Sequence, residues 1–413
     1  MSGVMRPLPE RPSLEHLKKQ AKELLDAARS ADVTALAQLA AVSRSDATPA
    51  KATLANAQHA LAHRYGFASW TKLKEEAHRR RAAWVASERL PDDPELRMDL
   101  VFSALDDDNL DALRVLLRKD HSLAEGWGDR RPLAHAAEHD RVAALDLLLD
   151  SGASLEPAHS YQHPPLSWAV TNHSLAAARR LAERGAALDL WCAAGLGLVE
   201  RMPEFFQAER PIPNASRYGA TRFDASGRAL PKPPSDPIEV LSDALYIASR
   251  NGQLEAARYL LDRGASPAFE GFARAPALHW AACSGNPALV LLLLERGADP
   301  EQRDGTYSCT YRQFAVRNPI EWGWLSALQR ALSGDRSLAN EHDASWGPPL
   351  HAAAAKGLDG HVHALLAAGA DPRALDHTGQ SALDCARSAA KPAASERIVA
   401  MLESCEHSVK QQD

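Results

Sequence analysis

A unit of about 33 residues recurs along this chain, and the recurrence limits its possible folds more than any other feature does. The segment from Ala275 to Gly305 reads APALHWAACSGNPALVLLLLERGADPEQRDG. Residues 349–379 nearly repeat that order as PLHAAAAKGLDGHVHALLAAGADPRALDHTG. The leucine that precedes the histidine place falls at 133, 166, 245, 278, 350 and 383, and three of the intervals between neighbours are 33. Val101 opens a degenerate copy 32 residues before Leu133, Leu190 a short copy 24 after Leu166, and Arg312 an irregular copy 34 after Leu278.

Each recurring residue has a physical reason. A proline suits the first turn of a helix, where its missing N–H costs nothing. The Ala-Ala pair lets two helices approach closely. Gly252, Gly285 and Gly357 stand where a first helix would end in the left-handed region. The leucine run supplies the apolar stripe of a second helix. One such helix pair cannot bury both of its apolar sides, so copies must stack on one another.

The period, the PLHWAA and PLHAAA openings and the GAD closings resemble the ankyrin repeat. The resemblance covers residues 100–404, about three quarters of the chain. It implies an all-α, ankyrin-type solenoid of about eight or nine helix pairs with finger loops, spanning residues 91–404. Residues 1–90 read as a small helical N-terminal cap and 405–413 as a disordered tail. Four amphipathic stretches fill the cap, the first from Ser13 as N-cap, the third closed by Gly66. The basic run HRRR at 78–81 reads as the solvated C-terminus of the fourth helix, and ASERLPDDPELR as a linker.

Two segments break the rhythm. Leu190 and Leu245 are 55 residues apart, and the surplus lies in a proline-rich insertion at 207–240. Following an outer helix, it is expected to project from a finger as a lid or specificity loop, with Arg217 and Arg222 as ligand-facing residues and Tyr218 and Phe223 as anchors. Farther on, Arg312 and Gln313 take the places of the core leucine and the histidine. Pro319 is expected to interrupt the turn there, and Trp322 and Trp324 to restore lost packing.

In ankyrin arrays the inner-helix face after the histidine place and after the Ala-Ala pair lines a concave groove. Mapped residue by residue, this resemblance places Glu138, His139, Trp168, Arg250, Asn251, Trp280, Phe314 and Arg317 on that face, with His279 at the histidine place beside it. Asp106, Asp107 and Glu138 make one end acidic; Arg250, Arg317 and Lys356 make the other basic. Such a face suits a protein or peptide of mixed charge, or a small anionic group held by arginines. The histidines at 279 and 351 are expected to hydrogen-bond backbone within their own turn.

The remaining classes are narrowed by what is missing. The net charge of −6 divides into +6 over residues 1–90 and −12 beyond, which suggests neither nucleic acid nor membrane as a partner. Five scattered cysteines without a C-x-x-C pair fit a reducing cytoplasm. His159, His163 and His173 lack a ligand set of known spacing, so no metal is assigned. Cys283 with His279 has no orienting third group, so no catalytic residue and no cofactor is assigned either. The reading is a monomeric, cytoplasmic binding scaffold or regulator, from a bacterium by its alanine- and arginine-rich style. The alternative is a small-molecule-binding module or atypical enzyme whose pocket lies between the groove and the insertion.

Overall fold

The computed structural model describes residues 7–9, 12–42, 48, 52–156, 164–213, 215–216, 236–342, 346–389 and 392–410. It is an ankyrin-type solenoid built almost wholly of helices, 21 of them among the described residues. Two compact units divide the chain, Met1–Ala169 and Val170–Asp413.

In the first unit, helices α1 (Leu14–Arg29), α2 (Val33–Ala40), α3 (Leu54–Arg64) and α4 (Trp70–Ser87) form the N-terminal group. Short polar residues start each of them. Ser13, Asp32, Thr53 and Ser69 accept from backbone N–H groups of the first turn that no carbonyl of the helix reaches. Leu17 and Ala21 of α1 meet Leu61, Tyr65, Leu73 and Ala77 in one apolar cluster. Helix α4 outruns its expected length. The basic run 78–81 is therefore helix interior, with Arg79 and Arg80 both bonded to Glu76. Only residues 88–93 link it to α5 (Pro94–Asp106). Helix α6 (Leu110–Lys119) packs against α4, and the buried Asn109 side chain donates to the His78 carbonyl at 3.4 Å. Helices α7 (Pro132–Glu138) and α8 (Val142–Asp150) form the next pair, and α9 (Pro165–Thr171) spans the boundary between the units.

The second unit is two rows of helices. The inner row is α11 (Leu190–Leu196), α12 (Pro237–Arg250), α14 (Ala277–Ser284), α16 (Tyr311–Trp322), α18 (Pro349–Ala355) and α20 (Ala382–Ser388), each packed on the next. The outer row contains α10 (Leu175–Glu183), α13 (Leu254–Leu261), α15 (Pro287–Glu295), α17 (Leu325–Gly334), α19 (Asp359–Ala368) and α21 (Pro392–Lys410). The leucine run of α15 shows how the pattern works. Leu289, Leu292 and Leu293 are buried and Leu291 is 60% exposed, because a 3.6-residue turn brings only one stripe to the neighbouring helices. Each buried leucine contributes about 1.5–3 kcal/mol.

The buried histidines join successive units. His279 Nε2 meets the Cys309 carbonyl at 3.1 Å, and His351 Nε2 meets the Gln380 carbonyl at 3.0 Å. The partner is thus in the next finger rather than in the histidine's own turn. There, Asp304 accepts from the backbone of Thr306, Tyr307 and Cys309, and Asp376 from that of Thr378 and Gln380, which holds each carbonyl in place.

Several expectations are corrected. Among the described residues, no outer α-helix follows α11. A 3₁₀ turn at Met202–Phe205 leads into an antiparallel hairpin, β1 (Phe206–Gln207) and β2 (Arg210–Pro211), so the 207–240 segment begins as strand. It ends as helix, since Pro237 is the first residue of α12 behind the N-cap Asp236. Residues 214 and 217–235 lie outside the described residues, and Arg217, Tyr218, Arg222 and Phe223 with them. Pro319 does not interrupt its element but sits inside α16. Arg312 does not fill a core position. It binds Asp335 and Glu341 at 2.8 Å each and so ties α16 to the segment after α17. The expected tail at 405–413 is helical in backbone as far as Lys410.

Helices α14 and α17 approach so closely that a Cβ on Gly285 would stand 2.1 Å from the Arg330 carbonyl oxygen. Gly285 also has φ of +74°, which disfavours any side chain. Gly285→Ala is therefore expected to lower stability by about 2–3 kcal/mol, read as a drop in midpoint of urea unfolding. Burial lowers the pKa of His279, His351 and His361 from the ordinary 6.5. The unfolded chain then binds more protons than the native one below pH 6.5, so stability falls as pH drops from 6.5 toward 5. His279→Gln is expected to flatten that part of a stability-versus-pH curve relative to the parent.

Candidate functional site

Two depressions lined by inner-helix residues carry the chemistry, one in each unit. The first, about 420 Å³, is lined by Phe102, Arg130, His135, Glu138 and Trp168 among others. The Arg130 guanidinium lies 4.5 Å from the Phe102 ring centre and 2.6 Å from Asp99. His135 Nε2 is 2.8 Å from an Asp106 carboxylate oxygen, and its ring meets that of His139 at 4.3 Å. Trp168 leaves 40% of its surface exposed, and Glu138 and His139 are exposed as well. A large half-covered aromatic beside charged groups is a surface that excludes water when covered.

The second depression, about 400 Å³, belongs to residues 171–330. Arg250 ends α12, Trp280 and Cys283 lie on α14, and Asn318 lies on α16. Gly323 and Trp324 form the turn after α16, and Arg330 comes from α17. The Arg250 guanidinium is 4.7 Å from the Trp280 ring centre and 5.8 Å from that of Trp324, and it donates to the Tyr246 hydroxyl at 2.9 Å. Trp322, 58% exposed, stacks on Trp324 at 5.8 Å. Trp322 is thus a surface group at the end of α16 rather than replacement core, whereas Trp324 is half-buried at the start of α17. Burial, with Arg250 as a further positive neighbour, lowers the pKa of Arg330.

The other residues singled out by pattern are distributed differently. Phe314 and His279 are fully buried, packed edge to face at 5.4 Å, and face no surface. Asn251 is a buried bracket. Its amide donates to the carbonyls of Val170 and Gly195, at 2.9 and 3.0 Å, and its oxygen meets His173 Nδ1 at 3.1 Å. Arg317 does not join Arg250. It lies over the rings of Tyr307 and Trp346, at 5.1 and 5.6 Å, outside the second depression. Its place beside Arg250 is taken by Arg330, which pattern reasoning passed over because it sits on an outer helix. The one sequence signal for it is the Gly285 and Gly334 pair that lets α17 come close.

No nucleophile is assembled around Cys283. Burial pushes its thiol up to about 12, and His279 is engaged with Cys309. Among the described residues no group of three metal-ligating side chains occurs; His159 and His163 lie outside them. No helix among the described residues is long and apolar enough to cross a membrane.

Comparison with known proteins agrees with the stacked helix pairs. Residues 235–304 match the family model for ankyrin repeats (3 copies). Residues 235–304 of this chain thus carry ankyrin repeats. Over 155 residues the chain is 32% identical to the human Ankyrin repeat and SOCS box protein 6, covering 36% of each protein. Over 57 residues it is 47% identical to the E3 ubiquitin-protein ligase hecd-1 of Caenorhabditis elegans, covering 14% of this chain and 2% of that one. The chain thus spans about a third or less of the length of these curated relatives. The human ASB11 ankyrin repeat domain aligns in structure at 20% identity, covering 66% of this chain and 98% of that one, with a TM-score of 0.26.

Proposed function

We propose that the chain is a binding scaffold or regulator that takes a protein or peptide partner on the exposed inner-helix side chains. Ankyrin repeats typically serve protein–protein interaction, and this chain contains them. The observation that carries the reading is the half-exposed Trp168 beside exposed Glu138 and His139, around a depression that also holds Phe102 and Arg130. A tryptophan in that setting is a common hot spot, since covering it removes a large apolar area from water while a polar rim sets orientation. The neighbouring acids Asp106 and Glu138 favour a partner segment with a positive charge near its apolar anchor. The basic run at 78–81 supports a protein rather than nucleic acid, because Arg79 and Arg80 are engaged with Glu76. The insertion serves as a lid or specificity loop, a role supported by its proline-rich length and by its exit from the β1–β2 hairpin.

The test begins with partner identification by crosslinking from the source cell. Affinity for that partner is then measured by calorimetry. Trp168→Ala with Glu138→Lys is expected to weaken binding by tenfold or more while the melting temperature stays put. Replacing residues 217–235 by a short Gly-Ser linker is expected to leave the chain folded and lower affinity or selectivity. Unchanged affinity in the first variant would remove the anchor from this reading; unchanged binding in the second would remove the lid.

A further inference from the structure

The arginines of the second unit separate into two kinds. Arg312 is held by Asp335 and Glu341, Arg296 by Asp262 and Arg397 by Asp359, all as near ion pairs. Arg250 and Arg330 are different. They line one depression of about 400 Å³, and no carboxylate is among its lining residues. Neither makes an ion pair with a described acid, and each adds to the other's positive potential. Two guanidiniums sharing a partly buried space without a counter-charge is an unfavourable arrangement unless an anion belongs between them.

The buried polar atoms of the same wall point the same way. Arg330 Nε and Trp280 Nε1 are N–H donors, both are buried, and neither has a hydrogen-bond partner among the described residues. Buried donors of native proteins nearly always have partners. Cys283 adds an un-ionised thiol, because burial holds its pKa at about 12, so it contributes no negative charge. The Trp280 and Trp324 rings flank the Arg250 guanidinium and limit the directions in which its fork can face. A site with planar donors, net positive charge and aromatic sides suits the flat fork of a carboxylate or the oxygens of a phosphate.

We infer that the depression between Arg250 and Arg330 is a binding site for one oxyanion group, a carboxylate or a phosphate, with Trp280 as an additional donor. Its source is either a free small anion or an acidic or phosphorylated side chain of a bound peptide. The site goes beyond the partner surface around Trp168, which is made of other residues in the other unit, so each stands or falls alone.

The full chain, labelled with ¹⁵N, would be titrated with inorganic phosphate and with succinate. Capped Gly-Gly-X-Gly-Gly peptides with X as glutamate, phosphoserine or glutamine form the second arm. The expected result is a saturable shift of the Trp280 indole N–H resonance with the anions, and none with the glutamine peptide. Arg330→Gln is expected to weaken that binding tenfold or more, Arg330→Lys less, and Arg317→Gln not at all. Should Arg330→Gln fail to fold, the parent chain still decides the matter, since an indole resonance unmoved by every anion would overturn the site. Equal affinity in folded Arg330→Gln would overturn it as well. Stronger binding of the charged peptides than of the free anions would assign the site to a peptide side chain, and the reverse order to a small molecule. Either order leaves the site standing.

Discussion

The structure depends on the inability of one helix pair to bury both of its sides. Each inner helix of the second unit is apolar toward its predecessor and toward its successor. In α12 the run from Val240 to Ser249 is buried without a break. Only a neighbour on each side removes that surface from water. The histidine bond to the next finger fixes how neighbours meet. His279 reaches Cys309 and His351 reaches Gln380, so each pair is aligned by a polar contact at a place where a slip would leave a buried imidazole unpaired.

That constraint also decides where exposed chemistry can occur. Phe314 and His279 go into the stack, whereas Trp168, in the middle of α9, keeps 40% of its surface exposed. Side chains at helix ends and turns keep one side open. Arg250 ends α12, and Trp322 and Trp324 flank the turn at Gly323. The close approach at Gly285 and Gly334 then brings an outer-helix side chain, Arg330, into the same depression. The two candidate surfaces therefore differ in character. The one around Trp168 is acidic and open, with Arg130 already paired to Asp99; the one around Arg250 is cationic and has no acid in its wall.

Mapping by resemblance placed Trp168, Arg250 and Trp280 on inner helices, and all three line depressions in the structure, Trp280 while almost fully buried. It failed for Asn251, which caps the end of α12 but is buried because its amide brackets the carbonyls of Val170 and Gly195, and for Phe314, which is enclosed against the rings of His279 and Trp280. It misjudged Trp322, whose size suggested core, although its place at the C-terminus of α16 leaves it at the rim. Arg312 shows the converse. At a leucine position it remains half-buried, because Asp335 and Glu341 reach it from the following segment, and no local pattern encodes acids 23 and 29 residues away.

The order of residues alone determined the helix pairs, their caps, the stacking and the identity of the linking histidines. All of these rest on interactions within one turn or between neighbouring repeats, whose spacing is written in the period. The tertiary structure decided which arginines lack a counter-charge and which aromatics stay wet. It also decided that α17 rather than α16 supplies the second guanidinium of the cationic depression. Those outcomes come from distances between separate helices, set by how closely backbones pack, and a linear spacing carries no measure of that.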